Sequence, residues 1–512
     1  MRRRNFLTRG VLRPIATIAG GGAGLEMMLA EAFAEPRTCG PPPQAKPQRR
    51  TAGESLPPLP LPATPLRRSE KKRQPSPPSL VGKAILGDVK WMVQDGQRFA
   101  YRDWMTDPAD IKNLLDWTNQ QLHIHYRPVD SDLQQFSFNP TELPIMYFTG
   151  HDAFTLPDVA VPKLRQFVTD GGTILGDACC GMPEFDKAFR TLAKAMFPDR
   201  PLEAVTPDHP LYSAFYPIAD VEYMIEGKGK VRQPPPLEAV SIGCRAGLIY
   251  TGGYDCSCGW DGHTHEHGKR VMPGDARQLG ANIITYALAT YELGRFLATE
   301  RVYHQKGEPT RDQLVIAQVI HDGDWDPQPS SLASLLKHLA ENTTVEVQFK
   351  KEDVDLRHVD AFAHPILYMT GHREFRLSDQ EVENLRRYLS AGGVLIANAC
   401  CGRAGFDKAF RREIARVLPD QKLERLPLDH PVYQSVFPIQ QVGYTPLVLH
   451  EHPGLSQPTL EGISLEKQLR VIYSPFGLVN GWSGAPNPYA RGYEADDALR
   501  LGINMLVYSM TH

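Results

Sequence analysis

Short apolar runs alternate with amphipathic segments along the second half of the chain. Four runs have the apolar content or the alternation of β-strands: residues 313–320, 344–349, 365–369 and 394–397. Two segments, 331–341 and 379–389, instead place apolar side chains at helical spacing. Strands that alternate with helices predict a largely parallel sheet with right-handed crossovers. We therefore expect a doubly wound, mostly parallel α/β fold.

The first half of the chain repeats the second half. Pairs of matching residues lie 221 positions apart, among them His151 and His372, Cys180 and Cys401, and His209 and His430. Gly259-Trp260 matches Gly481-Trp482 at an offset of 222, so one inserted residue separates two ungapped blocks. A match of this length predicts a tandem duplication. We place copy 1 at 84–298, a linker at 299–311 and copy 2 at 312–512, and expect the two copies to pack together.

The amino terminus has the layout of an export signal. Arg3-Arg4-Asn5-Phe6-Leu7 resembles a twin-arginine motif, and a Gly-rich apolar stretch follows it. Ala32-Phe33-Ala34 supplies a cleavage site, so residues 1–34 are interpreted as a twin-arginine signal peptide. We then expect a periplasmic mature protein without a transmembrane span. An uncleaved signal that anchors the chain in the inner membrane is the alternative.

Residues 35–83 are rich in proline and in basic clusters such as Lys71-Lys72-Arg73. Such a segment buries too little apolar surface to offset its chain entropy, which predicts a disordered linker. The net charge of −3 gives the chain no global field that attracts a polyanion, so we expect no nucleic-acid partner. The partner classes that remain are an unknown ligand and a protein of the cell envelope.

Polar residues follow the first predicted strand of copy 2. Ligands bind beyond the carboxyl ends of the strands in an open parallel sheet. Asp322 and Asp324 there offer carboxylates to a cation or polar ligand, and Trp325 offers a stacking face. Copy 1 is expected to place Gln94-Asp95-Gly96-Gln97 at this point, which predicts that the loop is not duplicated.

Several repeated motifs resemble a known bacterial family. They are Tyr368-Met369-Thr370-Gly371-His372, the Ala-Cys-Cys-Gly segment ending at Gly402, Phe406-Asp407-Lys408-Ala409-Phe410-Arg411, Asp429-His430-Pro431 and Cys258-Gly259-Trp260. Both copies resemble the family known as domain of unknown function four-one-five-nine. The resemblance implies a flavodoxin-like fold of the class I glutamine amidotransferase type, with no established reaction.

The resemblance also implies a place for a nucleophile. In amidotransferase-like domains a cysteine lies at the tight turn between a strand and a helix, where the helix amino terminus lowers its pKa. Cys180 and Cys401 occupy this place, with His151 and His372, or His209 and His430, as candidate bases. Neither copy ends in the His-x-Glu pair of the amidotransferases. Packing of small cysteine side chains beneath the helix is the alternative.

Further repeated residues are assigned to ligand binding together with the acidic loop of copy 2. They are Asp208, His209, Asp429, His430, Trp260 and Trp482.

A Cys/His-rich loop in copy 1 suggests a metal site. Cys256 and Cys258 precede His263, His265 and His267, and thiolates with imidazoles suit a transition metal such as zinc. The alternatives are a solvated loop, or a disulfide of Cys256 with Cys258 or of either with Cys244. The sequence therefore favours a ligand- or partner-binding protein, with a cysteine-dependent hydrolase or a metalloprotein as the alternative.

Overall fold

The computed structural model describes residues 79–94, 96–135, 138–263, 267–299, 313–349, 351–358 and 362–512. The expected signal peptide, the expected linker up to residue 78 and the connection at 300–312 lie outside the described residues. Residues 79–83, expected to be linker, belong to the first strand of copy 1.

Copy 1 contains twelve strands and six helices within its described residues. The strands are β1 (Ser79–Ala84), β2 (Lys90–Gln94), β3 (Gln97–Tyr101), β4 (Tyr126–Ser131), β5 (Ile145–Gly150), β6 (Thr173–Ala178), β7 (Glu203–Ala204), β8 (Val221–Ile225), β9 (Gly229–Gln233), β10 (Glu238–Ile242), β11 (Arg245–Tyr250) and β12 (Lys269–Val271). The helices are α1 (Asp110–Leu122), α2 (Ala160–Thr169), α3 (Pro183–Met196), α4 (Ser257–Asp261), α5 (Pro273–Ala289) and α6 (Tyr291–Ala298).

Copy 2 contains seven strands and six helices within its described residues. The strands are β13 (Ala317–Ile320), β14 (Glu352–Asp355), β15 (Ile366–Gly371), β16 (Val394–Ala399), β17 (Glu424–Arg425), β18 (Glu461–Leu465) and β19 (Gln468–Ser474). The helices are α7 (Ser331–Asn342), α8 (Asp379–Ser390), α9 (Ala404–Val417), α10 (Pro446–Glu451), α11 (Val479–Ser483) and α12 (Ala495–Thr511).

Each copy is built on a seven-stranded sheet. The strand orders are β4-β1-β5-β6-β11-β10-β7 in copy 1 and β14-β13-β15-β16-β19-β18-β17 in copy 2. In each sheet the first five strands pair in parallel, and the last two pairings are antiparallel, so that only the sixth strand runs in the opposite direction. The expected doubly wound, mostly parallel α/β fold is confirmed for both copies.

The central strands are buried on both faces. All six residues of β5, β6, β15 and β16 are buried, which explains why these strands read as continuous apolar runs. Alternate residues of one strand join different apolar clusters: Tyr147 packs in one, while Met146 and Phe148 pack in the other. Each sheet therefore has a core layer on both sides.

One predicted strand is wrong. Residues 344–349 form a single isolated bridge, through Val347, and the edge strand is β14. The sequence of β14 is Glu-Asp-Val-Asp, in which Val354 alone is apolar and buried. An edge strand buries little of its surface, so it needs few apolar residues. The apolar–polar alternation at 344–349 therefore predicts a strand more strongly than the sequence of β14 does, although β14 is the strand that forms.

The two copies share a continuous interface. Cys244 and Leu293 of copy 1 are buried in the same apolar cluster as residues of copy 2. Tyr286 stacks on Tyr489 across the boundary, with ring centroids 5.6 Å apart. Polar contacts reinforce this packing, because Arg403 donates a hydrogen bond of 2.9 Å to the carbonyl oxygen of Asp208.

Candidate functional site

A sharp turn places one cysteine at the carboxyl end of a central strand in each copy. In copy 2, Cys400, Cys401 and Gly402 connect β16 to α9, and Cys401 has φ 54° and ψ 17°. In copy 1, Cys180 has φ 55° and ψ 9° at the same place between β6 and α3. This left-handed region costs a non-glycine residue about 1–2 kcal/mol. Strain of this kind is found at functional turns, among them the elbow that carries a hydrolase nucleophile.

His372 and Asp324 lie beside Cys401 at the same edge of the sheet. His372 follows β15, which pairs with β16, and Asp324 follows β13, which pairs with β15, so the carboxyl ends of the three parallel strands lie at one edge. His372 Nε2 lies 3.3 Å from Cys401 Sγ, and His372 Nδ1 lies 2.6 Å from Asp324 Oδ2. Asp324 Oδ1 accepts the backbone N–H groups of His372 and Arg373, both at 2.9 Å. The carboxylate thus fixes both the ring and the backbone of His372.

Two amides complete the surroundings of the Cys401 sulfur. Asn480 Nδ2 donates to Cys401 Sγ at 3.1 Å, and Asn487 Nδ2 donates to it at 3.3 Å. Gln328 is buried and orients Asn480, since its Nε2 donates to Asn480 Oδ1 at 2.5 Å. A sulfur that faces an imidazole and two amide donors is stabilised as the thiolate.

The electrostatics of copy 2 favour an ion pair. Hydrogen bonds from Cys244 and Cys400, together with the charge of His372, hold the pKa of Cys401 well below its ordinary value despite burial. Burial alone would lower the pKa of His372, but the charges of Asp324, Cys244 and Cys401 raise it well above 6.5. The charge and hydrogen bonds of His372 in turn lower the pKa of Asp324 to about 2 against its own burial. These shifts favour a thiolate at Cys401 and an imidazolium at His372.

Copy 1 contributes a third thiol to this site. Cys244 Sγ lies 3.6 Å from Cys400 Sγ and accepts a hydrogen bond of 3.2 Å from Gln328 Nε2. Ligand atoms of Cys244, His372, Cys400 and Cys401 all lie within 4.8 Å of one another. The seven cysteines in the described ranges are all reduced thiols.

A cavity of about 270 Å³ opens onto the site between the copies. Its lining includes His372, Cys244, Arg373, Arg403 and His209. The side chain of His372 is 14% exposed, whereas Cys401 is 1% exposed, so His372 lies between the cavity and the sulfur. Arg373 forms an ion pair across the boundary with Glu203, which also lines the cavity.

The same three residue types meet in copy 1. Asp103 Oδ2 accepts the backbone N–H groups of His151 and Asp152, at 2.5 and 2.8 Å. His151 Nδ1 lies 3.4 Å from Asp103 Oδ1. Burial opposes protonation of His151, but Asp103 and Cys180 outweigh it and raise its pKa to about 10.

The sequence repeats the carboxylate of this site at the same offset as the cysteine and histidine. Asp103-Trp104 lies 221 positions before Asp324-Trp325, so the acidic residue is duplicated. The expected equivalence with Gln94-Asp95-Gly96-Gln97 is wrong, because copy 1 inserts the β2–β3 hairpin between β1 and Asp103.

Around these shared residues the two copies differ in charge. Positions that carry Asp107, Asp177, Asp255, Cys258 and His263 in copy 1 carry Gln328, Asn398, Gly477, Asn480 and Ala485 in copy 2. Asp107, Asp177, Asp255 and Cys258 are all 0% exposed. Copy 1 thus surrounds its cysteines with acidic groups, and copy 2 surrounds its own with neutral ones.

The metal ligands predicted from the sequence are only partly brought together. Cys258 and His263 lie in clusters with Asp107, Cys179, Cys180 and Asp255. Cys256 belongs to neither cluster and is buried in the apolar core layer of copy 1. His267 belongs to neither cluster, and His265 lies outside the described residues.

Two of the residues assigned to ligand binding lie in the core instead of at the rim. Trp260 and Trp482 are 0% and 2% exposed and donate to the carbonyl oxygens of Ala276 and Ala498, so they are core residues. Trp325 is half-buried beneath Lys351, whose Nζ lies 4.9 Å from the ring centroid.

The other residues assigned to ligand binding have different surroundings in the two copies. Asp208 accepts the backbone N–H of Ala404 at 3.1 Å, and His209 lines the cavity between the copies. Asp429 is exposed, and the ring of His430 packs beside Tyr508 near the carboxyl terminus. Asp322 accepts the backbone N–H of Arg376 at 2.8 Å.

Within the described ranges, no helix combines the length and apolar composition needed to cross a bilayer. Comparison with curated proteins finds no match. Comparison with family profiles matches residues 93–288 and 315–510 to the family described as Domain of unknown function (DUF4159). These ranges cover both copies and most of the chain, and with its duplicated strand–turn–helix the protein belongs to the DUF4159 family, of which it carries two tandem copies.

Proposed function

We propose that copy 2 is a cysteine-dependent acyl-transfer site of the hydrolase or amidotransferase kind. Cys401 is the nucleophile, His372 is the general base and acid, and Asp324 orients His372. The observation that carries the proposal is the continuous chain of contacts from Cys401 Sγ to His372, at 3.3 Å, and on to Asp324, at 2.6 Å. A nucleophile, a base and a residue that orients the base are the parts that such chemistry requires.

The reaction follows from the charges of these groups. The Cys401 thiolate attacks the carbonyl carbon of an amide or ester, and a carbon–sulfur bond forms. The bond to the leaving amine or alcohol breaks, and the leaving group takes the proton of the His372 imidazolium. Water then attacks the thioester while His372 removes its proton, which releases the acid and restores the thiolate.

Differences between the copies support copy 2 as the reactive one. In copy 1 the backbone N–H of Cys180 donates to Asp255 at 2.8 Å, so a carboxylate lies where an attacked carbonyl oxygen would gather negative charge. Copy 2 has Gly477 at that position and adds the Asn480 and Asn487 amides. These neutral donors suit a developing oxyanion, and the carboxylate does not.

The cavity indicates a small polar substrate. Its volume of about 270 Å³ is at the low end for a ligand pocket, and Arg373 and Arg403 line it. Cys401 is 1% exposed, so a substrate reaches its sulfur only when a side chain that lines the cavity moves. We further propose that the twin-arginine signal at 1–34 exports the chain and that this site acts in the periplasm.

The test is acylation of the full-length protein by p-nitrophenyl acetate. We expect a burst of nitrophenolate, with the acetyl group recovered on the peptide that contains Cys401. Cys401→Ser abolishes the burst, and Cys180→Ser, at the equivalent turn of copy 1, leaves it unchanged. No acetylated Cys401, or a burst that survives Cys401→Ser, would overturn the proposal and leave a binding site without catalysis.

A further inference from the structure

We propose that copy 1 holds a thiophilic divalent cation of the zinc type, bound by Cys179, Cys180, Cys258 and Asp255. This site is separate from the acyl-transfer site proposed for copy 2. It also differs from the set suggested by the loop sequence, because Cys179, Cys180 and Asp255 replace Cys256 and the histidines.

The spacing of the ligand atoms matches a tetrahedral metal centre. Cys179 Sγ lies 3.9 Å from Cys180 Sγ and 3.9 Å from Cys258 Sγ. Ligand atoms of all three cysteines and of Asp255 lie within 4.8 Å of one another. Zinc–sulfur bonds of about 2.3 Å in a tetrahedron put sulfur atoms about 3.8 Å apart. Three thiols and a carboxylate form a recognised type of donor set for zinc.

The distribution of charge also calls for a cation. Asp107 and Asp255 are fully buried and contact Cys179 and Cys258, and the fully buried Asp177 lies two residues before Cys179. Of the neighbouring basic groups, Lys83 pairs with Asp110 at 2.7 Å, His263 with Asp107 at 3.0 Å and His151 with Asp103 at 3.4 Å. The guanidinium of the buried Arg270 donates to the carbonyl oxygen of His263 at 3.0 Å. Buried carboxylates are costly unless they are paired or coordinate a metal. A divalent cation among the thiolates supplies the missing positive charge.

Copy 2 serves as an internal comparison for this site. The two ligands that copy 1 adds to its pair of adjacent cysteines, Asp255 and Cys258, are Gly477 and Asn480 in copy 2. Asp107, which accepts a hydrogen bond of 3.0 Å from Cys179 Sγ, is replaced by Gln328. The same fold therefore exists with and without the acidic and thiol groups, so these groups are not required for folding as such.

His263 marks the path by which the ion enters. Its side chain is 45% exposed, while its Nδ1 contacts the buried Asp107 Oδ1. Asp107 in turn touches Cys179 and Cys258, with Cys258 Sγ 3.7 Å from its Oδ2. The His263–Asp107 pair thus links solvent to the thiols, and the carboxylate can accept a proton that a thiol releases on coordination.

The test is metal binding by the full-length protein, read without any activity assay. Apo protein is titrated with Zn²⁺, and with Co²⁺ for the sulfur-to-cobalt charge-transfer band and the intense visible bands of tetrahedral Co²⁺. We expect about one ion per chain in copy 1. Cys258→Asn and Asp255→Gly, which introduce the residues of copy 2, are expected to weaken binding by more than the roughly 10–100-fold lost with an outer-shell partner.

Matched controls separate this site from the rest of the chain. Cys256→Ala removes a neighbouring thiol that lies in the core, and Cys401→Ser removes the proposed nucleophile; both are expected to keep the cobalt bands. Circular dichroism establishes that Cys258→Asn and Asp255→Gly are folded. Wild-type protein without bound metal, or cobalt bands that survive both copy 1 variants and vanish with Cys401→Ser, would overturn the inference. That second outcome would also contradict the acyl-transfer proposal, whereas a failed acylation test alone leaves the metal site intact.

Discussion

At the scale of single residues, the site in copy 2 depends on how Asp324 is used. Its carboxylate accepts two backbone N–H groups and contacts His372 Nδ1. One side chain therefore both orients the imidazole ring and stabilises its protonated form. In a hydrolytic triad the carboxylate has this role and does not itself take the proton. The neutral amides of Asn480 and Asn487 stabilise the thiolate from its other side.

The pH dependence of stability isolates the contribution of Asp324. Its pKa of about 2 in the folded chain lies below the unfolded value of about 3.9, so its stabilisation is fully present above pH ~4 and is lost as the pH falls towards 2. We expect Asp324→Asn to reduce the free energy of unfolding by about 2 kcal/mol near neutral pH. The difference in the free energy of unfolding between variant and wild type should shrink as the pH falls from about 4 towards 2. Denaturant titrations at several pH values across this range measure it. A difference that does not change with pH would contradict this assignment.

At the scale of elements, the central feature is the strand–turn–helix at β16 and α9. The left-handed conformation of Cys401 points its thiol towards the rim, where the ends of β13 and β15 supply the two partners. Copy 1 repeats this turn at Cys180 with nearly identical dihedral angles. The strain is thus a property of the fold in both copies, whatever chemistry each performs.

Substitution at the turn measures this strain. Alanine and glycine both remove the thiol of Cys401, but only glycine adopts φ 54° without a steric penalty. We expect Cys401→Gly to be about 1 kcal/mol more stable than Cys401→Ala, and the same order for Cys180→Gly and Cys180→Ala. Thermal or denaturant unfolding of the four variants measures the difference. Equal or greater stability of the alanine variants would show that the turn stores no strain.

The sequence predicts the repeated strands and the position of the cysteines, because the motifs are ungapped and local. It misses Asn480 and Asn487, since a single asparagine brought in from a distant loop leaves no periodic pattern. It also misses Cys244, which reaches the site from the other copy. Trp260 and Trp482 repeat faithfully for a different reason, because each fills a core and satisfies its indole N–H there.

At the scale of the whole molecule, the duplication has produced two different sites on one scaffold. Asp208 and His209 of copy 1 dock against copy 2, whereas the equivalent Asp429 is exposed and His430 packs beside Tyr508. The cavity described above lies between the copies and is lined by residues of both. Copy 1 completes the site of copy 2 with Cys244 and lines it with Glu203.

The shared core predicts that the two copies unfold together. Leu293 of copy 1 is fully buried within the apolar cluster of copy 2. We expect one calorimetric transition for the full-length protein, and Leu293→Ala to lower its midpoint without splitting it, at a cost of about 2–5 kcal/mol. Two resolved transitions in the wild-type protein would show that the copies are independent.

The most direct test of the central claim is the alkylation rate of each cysteine as a function of pH, measured by mass spectrometry on metal-free, full-length protein with iodoacetamide. We predict that Cys401 reacts fastest of the cysteines. Its alkylation rate should stay nearly constant as the pH falls from the usual thiol pKa of about 8.5 to well below it, because the thiolate persists there. In Asp324→Asn the imidazolium of His372 loses its carboxylate partner, so the pKa of His372 falls. The pH range of constant alkylation rate should then end at a lower pH than in the wild type. A Cys401 that labels slowly and with an ordinary thiol pH profile would contradict the thiolate–imidazolium pair, and with it the nucleophile.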